Sequence, residues 1–215
     1  MYMPPKPKFS REEIIDAAYA VACESGIDAV VARTVGKQLN STSTPIFTFF
    51  SGMDELKKEV YRKAKAECIA YLGESTDYFP SFKEFGLRWI RFAVSNPNIY
   101  KFLFTSGSQY AELPGNPFQE FSEITSPILA SIMSVFGISD DAAKKLLTQM
   151  IIYANGIAMF AMNQHDYLDE GTVSKLLSEV CISLVVADKI KSGSFEHEMA
   201  KRMLQAANNM PVKKD

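Results

Sequence analysis

Residues 33 to 56, RTVGKQLNSTSTPIFTFFSGMDEL, constrain the fold of this chain more than any other stretch. Helix start and stop signals follow one another so closely here that only short helices fit between them. A helix is expected from about Ala32 to Leu39, with Val35 and Leu39 inward. Asn40–Ser41 makes a turn. Thr42 is placed as the N-cap of a second short helix, roughly Ser43 to Phe49, with Pro45 in the first turn, where a missing N–H costs little. Ile46, Phe49 and Phe50 anchor that helix inward. Ser51 then opens a longer helix running to about Leu72, with Lys57, Lys58, Arg62, Lys63 and Lys65 on its outer face.

The segment before this one supports it. Ser10 and Glu13 have the spacing of a capping box, in which each side chain bonds the other's backbone N–H. Phe9 and Ile14 stand at staple positions. Ile14, Ala18, Val21 and Ala22 share one helical face, and Gly26 supplies the stop. Residues 4–8 are a Pro/Lys arm. Three packed helices joined by a tight turn result, and the last of them presents Thr42, Ser43, Thr44 and Thr48 outward. Hydroxyls either donate to or accept from base edges, and a Thr methyl meets a thymine methyl, so this face suits a DNA major groove.

The rest of the chain also reads as helix, with no clear strand. Helices are expected at about 81–95, 98–106, 118–136, 139–163, 173–191 and 195–209, with a loop from Thr105 to Pro117 and a domain boundary at 73–80. At 47% hydrophobic, 215 residues suffice for a substantial core. No uninterrupted apolar run approaches the ~18 residues of a membrane span. The nearest, Met150 to Met162, contains Asn155 and Gly156. The N-terminus lacks the apolar region of a secretory signal. Cys23, Cys68 and Cys181 lie far apart among apolar helical residues, which suits buried thiols in a reduced cytoplasm, with a redox sensor as the alternative. Residues 1–65 hold ten Lys/Arg against eight Asp/Glu, and the remainder 13 against 17, so the basic excess sits at the N-terminal end and is small.

Chemistry for catalysis is missing from the pattern. There is no CxxC, GxSxG, P-loop or GxGxxG, and His165 and His197 are isolated. Asp140–Asp141 and Glu12–Glu13 occupy first turns of helices, where the dipole accounts for them. The expectation is no enzyme, no catalytic residues, no metal and no cofactor.

Residues 11 to 62 resemble the N-terminal domain of the tetracycline-repressor (TetR) family of bacterial regulators. Ile14, Ala17 and Ala18, then Gly26, Val35, Ile46, Phe47, Phe50 and Leu56 fall on the family pattern without a gap. The resemblance implies an all-α fold: an arm at 1–8, a helix-turn-helix DNA-binding domain at 9–52, a connecting helix at 53–72, and a helical effector-binding and dimerisation domain at 73–215. DNA contacts would then come from Lys37, Thr42, Ser43, Thr44, Pro45, Phe47, Thr48 and Lys57. Five positions depart from the family. Phe47 replaces a tyrosine, Met53 a lysine and Val31 a hydroxyl residue, while Asn40–Ser41 replaces Gly-Val. Phosphate anchoring weakens accordingly; the N-terminus of the connecting helix, Lys37, Lys57 and the arm residues Lys6 and Lys8 are the remaining anchors. Phe47 either packs under its helix or meets DNA backbone.

Family C-terminal domains bind a small molecule and dimerise through their last two long helices. Here Met150, Ala154, Ile157 and Ala161 on one helix, and Leu177, Cys181, Leu184 and Val185 on the next, would form that interface; the alternative is a monomer core. Aromatics cluster after residue 78. Phe85, Trp89, Phe92, Tyr100, Phe104, Tyr110, Phe121, Tyr153 and Phe160 are the candidates for an apolar ligand pocket, with plain core as the alternative. Arg88 and Arg91 are expected at the surface or rim. The implied function is a cytoplasmic, homodimeric, ligand-responsive regulator. It would most simply be a repressor, released from a near-palindromic operator by a small hydrophobic effector, with no membrane partner. The alternative is a TetR-like fold that binds an apolar ligand or lipid without operator DNA.

Overall fold

In the computed structural model of the chain, residues 8–106, 108–111, 120–163, 169–193, 205 and 212–213 are described. The arm residue Lys6, His165, His197, Phe118 and the expected helix at 195–209, save residue 205, lie outside them. The fold is all-α, as its periodicity requires. Helices α1 (Arg11–Ser25), α2 (Ala32–Gln38), α3 (Ile46–Phe49), α4 (Met53–Gly73), α5 (Ser81–Ser95), α6 (Pro97–Lys101), α7 (Ser122–Phe136), α8 (Asp140–Asn163) and α9 (Glu170–Lys191) account for most of the described residues. Tyr78–Phe79 pairs antiparallel with Val212–Lys213 as a two-residue ladder.

The helix ends follow local chemistry. Ser10 and Glu13 form the reciprocal capping box, with backbone-to-side-chain bonds of 2.7 and 3.1 Å. Gly26 ends α1 at φ +83°. At α9 the start differs from expectation. Gly171 and Thr172, left outside the expected helix, belong to it: Asp169 accepts the Thr172 N–H at 3.0 Å, so the helix begins three residues earlier, at Glu170. The helix expected at 98–106 is an α-turn from Pro97 to Lys101 followed by a π-helical stretch from Phe102 to Ser106.

The chain forms two compact units. One holds residues 1–68 and 96–120; the other holds 69–95 and 121–215. A single cut at 73–80 would not produce this division, because the chain returns to the first unit after Ser95. The first unit's core contains Ile14, Val35, Ile46, Phe50, Leu56, Val60 and Tyr61, all buried. Tyr61 meets Phe102 edge-on at 5.6 Å, and Phe102 meets Tyr110 at 6.0 Å. Asn98 donates to the Cys23 and Glu24 carbonyls at 2.9 and 3.1 Å, closing the exposed end of α1.

The second unit packs α5, α7, α8 and α9 together. Helix α8 from Asp140 to Met162 reaches a mean hydropathy of 1.2, which by length and composition would allow a membrane span. Its burial is one-sided: Ala143, Leu146, Leu147, Ala154, Ala158 and Ala161 are buried, while Ile152 is exposed. Such a pattern fits a helix packed on a protein core. Asn155, the polar residue inside the apolar run, accepts from the Trp89 indole N–H at 3.2 Å and ties α8 to α5.

Candidate nucleic-acid interface and apolar cavity

The turn between α2 and α3 is built by two residues. Asn40 adopts φ +49°. The Ser41 N–H reaches the Gly36 carbonyl at 2.9 Å and the Asn40 N–H reaches Lys37 at 3.0 Å, the bond pair of a Schellman ending. Gly36 itself is buried, and a Cβ there would stand 3.0–3.1 Å from backbone atoms of Thr42 and Ser43. Its lack of a side chain lets the incoming strand of turn cross α2 closely. Val31 precedes α2 and Thr34 caps it, taking the Val31 N–H at 3.2 Å.

Thr42 is not an N-cap. Helix α3 has no side-chain cap and opens through i→i−3 bonds from Ile46, Phe47 and Thr48 to Ser43, Thr44 and Pro45. The four α-helical residues are therefore preceded by a tighter turn. This frees the Thr42 hydroxyl for other partners. Ile46 and Phe50 are fully buried, whereas Thr42, Thr44, Phe47 and Thr48 are exposed, and Ser43 and Pro45 are half-buried. Phe47 is 52% exposed, which excludes its packing under the helix. Val31, at 43%, is the unit's other large exposed hydrophobe among the described residues. Both stand where the family resemblance leads one to expect a phosphate anchor.

The charges around this face are few. On α4, Arg62 pairs with Glu59, Lys63 with Asp16 and Glu67 at 3.3 and 3.2 Å, and Lys65 with Glu120 at 3.0 Å. Lys37, exposed, and Lys57, half-buried, form no salt bridge among the described residues. At the start of α4 the Glu55 carboxylate accepts both the backbone N–H and the hydroxyl of Ser51, at 2.7 and 2.8 Å. Those bonds hold its carboxyl below the usual range. Ser51 is thus the donor in this cap, and an anion approaching this terminus meets a carboxylate.

The second unit contains a small apolar cleft with a volume of about 50 Å³. Phe82, Phe85 and Trp89 of α5, Ile132 and Phe136 of α7, Leu146, Leu147, Met150, Ile151 and Ala154 of α8, and Leu177, Cys181 and Ile182 of α9 form its walls. Lys83, Gly86 and Ser178 complete them. Phe82 and Phe136 meet at 5.1 Å, Phe85 and Trp89 at 5.7 Å.

Of the nine aromatic residues expected to line a pocket, Phe85 and Trp89 do so. Tyr100, Phe104 and Tyr110 belong to the first unit, where Tyr100 and Phe104 pack at 5.0 Å. Phe92 packs on Tyr71 at 5.9 Å, Phe121 is buried away from the cleft, Tyr153 is half-buried and Phe160 is exposed. The residues expected at a dimer interface are used within the protomer. Met150, Ala154, Leu177 and Cys181 line the cleft, Ile157, Ala161 and Val185 are buried, and Leu184 borders a second hollow beside Val185. Periodicity identified apolar faces correctly but could not say that they meet each other. The outward faces carry Ile152, Met159 and Phe160 on α8, and Ser183, Ala187 and Ile190 on α9.

Arg88 is not at the rim: its side chain is 11% exposed, with ion pairs to Glu74 at 2.7 Å and Glu84 at 3.1 Å. Arg91 joins the same carboxylate at 2.8 Å and also pairs with Glu170. Burial pushes the Cys68 and Cys181 thiols up to about 12, and raises the exposed Cys23 as well. None of the three is poised as the thiolate a redox sensor needs. No group of three or more metal-ligating side chains occurs among the described residues. No family model matches the chain and no curated protein matches it.

Proposed function

We propose that this protein is a ligand-responsive, DNA-binding transcriptional regulator that acts as a homodimer in the cytoplasm, most simply a repressor. The observation that supports the reading best is the division of labour in the short segment from Thr42 to Phe50. Ile46 and Phe50 are sunk in the core and hold the segment rigid, while Thr42, Thr44 and Thr48 stand exposed beside it. Their hydroxyls and methyls offer groove contacts. Lys37 and Lys57 supply charge to phosphates, and the exposed ring of Phe47 lies against sugar and thymine methyl groups.

Two such segments, one from each subunit, read half-sites about 34–36 Å apart. The outward faces of α8 and α9, with Ile152 and Ile190, join the subunits. The apolar cleft holds the effector, and α4 carries the response. The effector acts by the difference in its affinity for the DNA-bound and free states.

A gel-shift titration against DNA selected from a random pool tests this. Thr48→Ala is expected to weaken the selected site by about tenfold, the ~1–3 kcal/mol of a base contact, while sparing random DNA. Lys57→Ala is expected to weaken both alike and to flatten the salt dependence. Absence of any sequence preference at low salt would refute the reading and leave the apolar-ligand protein without operator as the answer.

A further inference from the structure

Helix α8 runs for 24 residues and carries no charged side chain from Leu146 to Asn163. Part of that stretch faces outward. Thr148, Gln149, Ile152, Gly156, Met159 and Phe160 are exposed, Ile152 at 66%, Met159 at 41% and Phe160 at 44%. Helix α4 is also long and open on one side, but its exposed residues include Asp54, Lys58, Arg62 and Glu67. Loss of charge from an exposed apolar face marks a surface that another chain covers. Gly156 stands at the centre of this face. Glycine weakens a helix interior, so its presence there calls for a reason. Gly86 on α5 has one inside the subunit, since a Cβ would stand 3.1 Å from Leu177 Cδ1. At Gly156 a Cβ would meet no neighbouring atom within 4 Å. Among the described residues, none makes use of the missing side chain.

We infer that two copies of this chain cross at Gly156, with α8 antiparallel to α8 of the second copy and Ile152 of each against Phe160 of the other. The inference rests on the homodimer reading and names the contact that forms it. The spacing selects a second copy as the occupant. Ile152 and Phe160 lie four residues before and after Gly156, on the same face and about 6 Å along the axis to either side. A two-fold axis beside Gly156 therefore brings Ile152 to Phe160 twice, the reciprocal contact of an isologous interface. The absent side chain lets the two backbones approach closely. Antiparallel crossing sets the two helix dipoles head to tail and keeps the acidic first turns, Asp140–Asp141, at opposite ends. Parallel crossing would set like ends together.

Cysteine cross-linking tests the register. A Cys23→Ser background removes the exposed native thiol and leaves Cys68 and Cys181, which are buried. In it, Gly156→Cys is expected to form a disulfide-linked dimer on mild oxidation, because the two Cα atoms come within the ~7 Å such a bond spans. Ile152→Cys and Phe160→Cys are each expected to stay unlinked alone, their equivalents lying about 12 Å apart along the axis, and to link when the two proteins are mixed and exchange subunits. Linking of Ile152→Cys with itself overturns the antiparallel register. Gly156→Ala separates interface from fold. Its Cβ has open space within the subunit, so the urea midpoint should rise at concentrations where subunits are apart. The dimer Kd from sedimentation equilibrium should rise about tenfold or more, the cost of overpacking a close contact. A wild type that sediments as a dimer, while Gly156→Cys stays unlinked and Gly156→Ala dimerises normally, overturns this contact and leaves the homodimer reading standing. A wild type that is monomeric at every concentration overturns both.

Discussion

Gly36 carries the clearest residue-scale prediction. A methyl group there would press on the Thr42 carbonyl carbon and oxygen and on the Ser43 nitrogen at 3.0–3.1 Å. These are backbone atoms and cannot rotate away. Gly36→Ala is expected to cost about 1–3 kcal/mol, the usual range for overpacking, read as a lower urea midpoint. DNA affinity should fall further than stability explains, since the displaced segment is the exposed one. Glu55 makes a second prediction. Its folded carboxyl titrates below its ordinary value because it accepts two bonds from Ser51. A carboxyl depressed in the folded state contributes stability above its unfolded value, about 4.3, and loses it as pH falls through the lower folded one. An NMR titration should place Glu55 below the ordinary glutamate value, and Glu55→Gln should remove its share of the acid dependence. A midpoint at or above the ordinary value would contradict the cap.

At the scale of elements, the pairing of α5 with α8 depends on a polar link inside an apolar contact. Asn155→Ala removes the acceptor of the Trp89 indole and is expected to cost about 1–3 kcal/mol of stability, measured by chemical denaturation. Made on a Trp89→Phe background, the same change should cost much less, and additive losses would show that the two side chains do not act together. The contact also explains a sequence oddity. Asn155 interrupts the apolar run of α8, and its neighbours in sequence give no reason for it; the reason lies 66 residues away on another helix. Helix ends were more legible. Ser10 and Glu13 are legible from spacing because a cap is a bond between residues three apart. Asp169 is not legible as a cap in the same way, because the glycine two residues on, Gly171, disfavours a helix start there. Thr42 was taken for a cap because its type suits one, yet the entry to α3 is made by i→i−3 backbone bonds.

At the scale of the whole molecule, the proposed homodimer is joined by the outward faces of α8 and α9. Ile152 is 66% exposed and Ile190 61%. Surface replacements that touch nothing usually change stability by less than about 0.5 kcal/mol. Ile152→Arg and Ile190→Arg are therefore expected to leave each subunit folded, yet to shift sedimentation velocity from dimer to monomer and abolish tight operator binding. Unchanged sedimentation in both variants would place the interface elsewhere. The same replacement at Met150 or Leu177 should unfold the second unit, because these residues line its interior cleft. That contrast separates the outward faces from the inward ones that periodicity alone had nominated.

Local order was therefore readable in the residues themselves: the all-α class, the first four helices, the tight turn at Asn40 and the hydroxyls around Thr48. Each follows from groups a few residues apart, whose geometry is set before any tertiary contact forms. Periodicity also marked which faces are apolar. What those faces meet was settled only in the folded chain. Tyr100, Phe104 and Tyr110 looked like neighbours of Trp89 along the sequence, but the chain returns after Ser95 and packs them in the other unit. Met150 and Leu177 looked like a seam between subunits, but they close a cleft inside one. Hydrophobic burial is non-directional: it demands that an apolar face be covered and does not name the cover. Packing supplies that choice.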